Sequence, residues 1–233
     1  MRRKKKGPKA EIIYEDNHLI AVSKPAGILV HGDETGDESL VDAMKAYIKV
    51  EYNKPGDVFL GLIHRLDRPV SGVVLFAKTS KALIRMNKIF QDRKVTKTYK
   101  AVINRVPDPL EGKLKHWLKK DGKKNVSRAY NQQVKESKEC HLSYKYKGGL
   151  NGYHLLEVKP ITGRPHQIRV QLAVNGTPIV GDLKYGYPRP TQDRSICLHC
   201  ESLSFEHPVK KVPITIKDRM PKIEYWQFFK DIK

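Results

Sequence analysis

The chain lacks any apolar run long enough to cross a bilayer, and no apolar segment follows its charged start, Met1-Arg2-Arg3-Lys4-Lys5-Lys6-Gly7-Pro8. The first absence excludes a membrane-spanning helix, and the second excludes a secretory signal. Cysteine is scarce: Cys140, Cys197 and Cys200 form an odd set that implies no disulfide framework and suits a reducing compartment. Cys197 and Cys200 have CxxC spacing around His199, but a structural zinc site needs about four ligands and no second pair sits at a familiar distance. Ordinary thiols near a strand, and no metal, are the expectation. Internal repeats and low-complexity segments are missing too, apart from the basic tail. Cytoplasmic residence follows as an expectation.

Acid is the other shortage. Asp and Glu number 25 against 45 Lys and Arg, a formal charge of +20. Such an excess points to a polyanion, and nucleic acid fits best because its phosphates release counterions on binding. A membrane-surface binder would show a basic amphipathic helix with a broad apolar face, and none is present. The plain alternative is an ordinary protein from a basic proteome. At 233 residues, with 39% hydrophobic and 30% charged side chains, the chain is globular and long enough for a buried core. One compact domain with two lobes is expected over residues 11–233, preceded by a basic arm over residues 1–10. The arm carries six cations and no acid, and either grazes RNA phosphates or is a solvated tail.

Short apolar segments at Ile12–Tyr14 and Leu19–Val22, split by Glu15-Asp16-Asn17, read as a hairpin. Ser39 can cap a helix to about Tyr52, and Thr79 or Ser80 a second with Leu83, Met86, Ile89 and Phe90 on its apolar face. Between these helices, apolar stretches at Val58–Ile63 and Val73–Ala77 read as strands holding the polar loop His64–Gly72. A strand over Val95–Ile103 follows. From Lys113 to Arg128 there are seven cations and one acid, with Trp117 among them, which reads as an exposed hairpin or loop. It suits an RNA backbone and an unstacked base, or it is a solvated loop with Trp117 pinned to the core. Strands at His141–Tyr146 and Tyr153–Ile161 lead to a helix with Pro165 at its first position and Gly176 just beyond its end. Further strands lie near Ile196–Phe205 and Val212–Ile216. Residues alone give a basic α/β protein.

The motifs go further. The segment His64-Arg65-Leu66-Asp67-Arg68-Pro69-Val70-Ser71-Gly72, continuing to Lys78, closely resembles the signature of the RluA family of pseudouridine synthases. Tyr14–Gly27 is similar to that family's opening motif, Lys97-Thr98-Tyr99 to the strand with its active-site tyrosine, and Gly163–Arg169 to its helix-opening motif. Gly176–Asp182 and Leu198-His199 follow in the same order, so the resemblance covers about residues 11 to 220.

The resemblance implies an α+β fold with a mixed, largely antiparallel sheet flanked by helices and an active-site cleft between two lobes. It implies isomerisation of uridine to pseudouridine in ribosomal or transfer RNA, with no cofactor, by a chain acting as a monomer without an obligate protein partner. Asp67 takes the place of the catalytic aspartate at ribose C1′, and Arg169 that of an arginine paired with it. Tyr99 matches the tyrosine that stacks on the uracil, Arg65 the arginine that fills the gap left by the flipped base, and Leu198 a wall of the uracil pocket. His64, Arg164, His166 and Gln167, with Lys24, match positions that contact substrate phosphates or hold the structure. One departure is Val70, where the family usually has threonine. Larger relatives carry an S4 domain ahead of the catalytic one, and its absence is expected here. The rivals are a non-catalytic RNA-binding protein on the same scaffold and a base-excising glycosylase.

Overall fold

The computed structural model describes residues 10–33 and 36–232; most of the expected basic arm lies outside them. The chain divides into two compact units, one formed by the chain up to Val95 with Ser204–Asp218, the other by Thr96–Leu203 with Arg219–Lys233.

In the first unit, β1 (Glu11–Glu15) and β2 (Leu19–Lys24) form the expected antiparallel hairpin. Asp16 turns it, its Oδ1 accepting the His18 and Leu19 amides, both at 2.8 Å. Helix α1 (Leu40–Glu51) starts at Ser39, which makes a reciprocal capping box with Asp42. The apolar stretch Val58–Ile63 yields only a two-residue strand, β3 (Gly61–Leu62). Phe59 there is 48% exposed, and a Cβ on Gly61 would come within 2.7 Å of the Leu83 side chain, so this segment packs under a helix instead of extending a ladder. In β4 (Ser71–Ala77) every residue is buried, as in a strand covered on both faces; it pairs antiparallel with β2 and β3. Helix α2 (Ser80–Gln91) is capped by Thr79 and buries Ala82 and Met86, while Leu83, Ile89 and Phe90 are half-buried.

The second unit opens with β5 (Thr96–Ile103). Strands β6 (Glu111–Asp121) and β7 (Val126–Tyr130) are the basic hairpin, and β8 (Lys138–Leu150) and β9 (Tyr153–Pro160) form a longer one. They are ordered β5-β9-β8-β6-β7, all antiparallel. Trp117 is half-buried on β6 with Lys115 Nζ 4.9 Å from its ring centroid. Helix α3 (Gln167–Val174) begins two residues later than Pro165 predicts, because the Gln167 N–H closes a turn onto the Arg164 carbonyl and His166 sits at φ 55°. Its end matches the expectation. Gly176, at φ 79°, and Thr177 return their N–H groups to the Ala173 and Leu172 carbonyls, a Schellman motif. Strand β10 (Leu198–Glu206) carries the chain out of this unit, and β11 (Pro213–Lys217) pairs with it. A 3₁₀ turn over Glu224–Phe229, which has no strong periodicity to announce it, returns to the second unit and buries Trp226 and Phe229. The architecture is thus α+β on antiparallel sheet.

Candidate active site

In the first unit Asp67 stands, half-buried, on the loop between β3 and β4. The loop turns where the Val70 N–H reaches the Asp67 carbonyl at 3.0 Å. What holds it is Lys24, which has no exposed surface. Its ammonium donates to three carbonyls: Pro25 at 3.0 Å, Arg68 at 3.1 Å and Val70 at 2.7 Å. Three donors thus meet three acceptors. Burial pushes this lysine down to about 7, against the attraction of Asp67, which favours the charged form.

A second latch runs beside the first. Gly27 N–H donates to the Arg68 carbonyl at 2.8 Å, and Arg68 Nε donates back to the Gly27 carbonyl at 2.9 Å. Arg68 Nη2 adds an exposed ion pair with Asp37 at 2.9 Å. Val70 is buried and contributes through its carbonyl; the apolar side chain fits a site where the main chain makes the bond. His64 turns inward: its ring stacks on Phe90, centroids 5.4 Å apart, and Nε2 accepts the Leu75 N–H at 3.1 Å, which fixes the proton on Nδ1. Arg65 next to it is exposed.

In the second unit Arg169 is 4% exposed and gripped in a fork by Asp182, Nε to Oδ2 at 2.7 Å and Nη2 to Oδ1 at 2.8 Å. Asp182 is itself 1% exposed. The sequence reading placed it in a motif and gave it no role; only the fold shows a carboxylate thirteen positions away as the arginine's clamp. Gln167 is a brace within the structure. Its Oε1 accepts from Thr162 Oγ1 at 2.7 Å and from the Arg164 N–H at 3.0 Å, while Nε2 donates to the His141 carbonyl at 2.9 Å. His166 Nδ1 lies 2.8 Å from the Tyr185 hydroxyl. Arg164 is half-buried, its Nε 3.5 Å from the Glu139 carbonyl. Tyr99 lies on β5 opposite Val158 and is 9% exposed. Leu198 opens β10 and is buried.

Cys140, Cys197 and Cys200 are all buried. Burial pushes the Cys140 thiol up to about 11 and raises that of Cys197 as well, the opposite of a reactive thiolate.

The model of the family described as RNA pseudouridylate synthase matches residues 18–174, a span that contains Asp67, Tyr99 and Arg169. The chain belongs to the RluA family of RNA pseudouridylate synthases. Among the relatives of this synthase-family chain, the tRNA pseudouridine synthase C of Vibrio parahaemolyticus is 32% identical over 228 residues, 89% of either chain. The ribosomal large subunit pseudouridine synthase C of Buchnera aphidicola subsp. Baizongia pistaciae is 34% identical over 213 residues, 88% of this chain and 65% of the relative. The chain therefore spans just under two thirds of that relative's length. The fold is that of human RNA pseudouridylate synthase domain containing 4, with a TM-score of 0.77 at 22% identity over 96% of this chain and 94% of the other.

Proposed function

We propose that the chain converts uridine to pseudouridine at chosen sites in structured ribosomal or transfer RNA, with Asp67 as the catalytic carboxylate. The reaction breaks the bond from uracil N1 to ribose C1′, forms one from C5 to C1′, removes the C5 proton to a base and leaves N1 with a proton in its place. It is an isomerisation with no net change in electrons, so its chemistry calls for no redox cofactor. Asp67 attacks or stabilises C1′. Tyr99 stacks on the uracil and takes part in removing the C5 proton. Arg169 supplies positive charge that keeps a carboxylate ionised when water is excluded. Arg65, exposed beside Asp67, fills the stack that the flipped uridine leaves. Leu198 gives the uracil an apolar wall, and Arg164 and His166 offer donors to phosphate.

The observation that carries this reading is the support of the Asp67 loop. Three hydrogen bonds, two from Lys24 to the Arg68 and Val70 carbonyls and one from the Gly27 N–H to the Arg68 carbonyl, fix the backbone around the half-buried Asp67. Catalysis requires such a fixed mount; RNA binding alone does not. Soluble, monomeric action in the cytoplasm belongs to the same reading, and among the described residues no helix is long and apolar enough to cross a membrane.

The test is incubation with unmodified transcripts of transfer RNA and of large-subunit ribosomal RNA, followed by nucleoside analysis. Pseudouridine should form and free uracil should not. Free uracil would make the protein a glycosylase, and bound but unchanged RNA would make it a binding protein. Both RNAs are needed because the relatives' names divide between them.

A further inference from the structure

Among the described residues the sheet of the second unit ends at β7, which pairs only with β6. An edge strand leaves backbone groups unmatched; one of those on β7, and a carbonyl just before the strand, are met by one short element, the 3₁₀ turn Leu183–Tyr185. The Tyr185 hydroxyl accepts the Ser127 N–H at 2.8 Å, and Lys184 Nζ donates to the Asn125 carbonyl at 3.0 Å. The same hydroxyl lies 2.8 Å from Nδ1 of His166. The arrangement that satisfies all three groups has the phenol accepting from Ser127 and donating to Nδ1.

The other side of this turn reaches the arginine. Arg169 Cζ stands 5.1 Å from the Tyr185 ring centroid, within cation–π range. Asp182, the residue just before the turn, grips the same guanidinium. The segment has little freedom. Gly181, at φ 85°, passes so close to its surroundings that a Cβ there would meet Thr191 Cγ2 at 2.7 Å and the Ser195 carbonyl at 2.8 Å. Residues 182–185 therefore tie the tip of the basic hairpin to both the edge and the face of Arg169.

We infer that Tyr185 is a positioning residue that transmits engagement of RNA at the β6–β7 hairpin to Arg169. The inference rests on the reading that the chain acts on structured RNA. Lys123 and Lys124 at the hairpin tip are exposed, and Asp121 accepts the Lys124 N–H at 3.0 Å to shape that turn. Phosphate drawn to these cations loads β7. The load passes through the Ser127 N–H to the phenol, and the ring carries it to the guanidinium. A residue that only covered Arg169 would need no hydroxyl, yet this one satisfies two partners.

The experiment compares wild type, Tyr185→Phe and Tyr185→Leu, each alone and with Lys123→Ala/Lys124→Ala. Probes are unmodified transfer RNA and large-subunit ribosomal RNA transcripts. Readouts are RNA affinity, KM, the saturating rate, thermal unfolding and the Arg169 Nε–H nuclear magnetic resonance signal as RNA is added. Tyr185→Phe keeps the ring and loses the link to Ser127. It should raise KM about tenfold, the ratio produced by losing about 1.4 kcal/mol of hydrogen bonding. Its Arg169 signal should largely stop responding to RNA. Tyr185→Leu also loses the ring and should lower the saturating rate by about 10²-fold.

The tip lysines should matter less in Tyr185→Phe than in wild type. Partial unfolding would instead lower the rate with KM unchanged. Because the Arg169 signal needs no turnover, a wild type that makes no pseudouridine would defeat the functional reading, while the signal would still decide the coupling. A folded Tyr185→Phe with wild-type KM and a wild-type Arg169 response would overturn the inference. Should Tyr185→Leu fail to fold, Tyr185→Phe decides alone.

Discussion

Lys24 and Arg169 are both buried cations in segments that carry the family's motifs, and they are met by different kinds of partner. Lys24 is met by three backbone carbonyls, whereas Arg169 is met by a carboxylate that matches its fork. The difference follows from shape. An ammonium is a point charge with three rotatable donors and can gather separate backbone carbonyls, while a guanidinium offers parallel donors that suit one carboxylate. Carbonyl dipoles do not cancel a charge, so burial pushes Lys24 down to about 7. The lysine holds the main chain on the C-terminal side of Asp67, at the Arg68 and Val70 carbonyls. The arginine is held directly, by the Asp182 fork.

The comparison breaks most visibly at the arginine's partner. Asp182→Ala leaves Arg169 buried without its Asp182 fork, and should destabilise the protein by about 3–5 kcal/mol in urea unfolding. Lys24→Met, which keeps the stem and removes the charge, should cost less, about 1–3 kcal/mol. Three carbonyls lose their donor, but the cost of burying an ammonium also disappears. Turnover should fall by about 10²-fold because the Asp67 loop is free to shift. A Lys24→Met loss as large as that of Asp182→Ala would mean that the two cations are held alike.

Titration sharpens the contrast. The folded value for Lys24, about 7, lies below its ordinary 10.5. Between those limits the unfolded chain holds a proton that the folded chain has released, so this group makes stability rise with pH. The wild-type advantage over Lys24→Met should therefore grow from about pH 7.5 to about pH 9, by up to about 1.4 kcal/mol per unit. A difference independent of pH would show that Lys24 keeps its proton throughout.

The smallest effect is expected at His64. Replacing it with Phe preserves the stack on Phe90 and leaves the Leu75 N–H without its acceptor, for about 1–2 kcal/mol in the same assay. Nearly unchanged stability would assign the His64 contribution to the ring face.

Features set by neighbours along the chain were legible beforehand. Ser39, Thr79 and Gly176 cap their helices as read, because a cap is a contact within a few residues. Pro165 misled because Gln167 makes a tighter turn there with side-chain bonds to Thr162 and His141. Val58–Ile63 misled because apolar character does not tell a strand from a segment packed beneath a helix. At the site, the motifs singled out Asp67, Tyr99 and Arg169. Lys24 was singled out as a position that contacts phosphate or holds the structure, and its partners, like the supports at Asp182 and Tyr185, became visible only through contacts across folded chain, such as the 46 positions between Lys24 and the Val70 carbonyl.

Asp67→Asn bears most directly on the central claim, because it nearly keeps the side chain's volume while removing its charge and nucleophilicity. The measurement is single-turnover conversion of transcripts tritiated at uracil C5, with RNA affinity and thermal unfolding followed in parallel. The variant should fold as wild type, bind RNA with near-wild-type affinity, and give neither tritium release nor pseudouridine. Pseudouridine formed by Asp67→Asn at a rate close to wild type would contradict it.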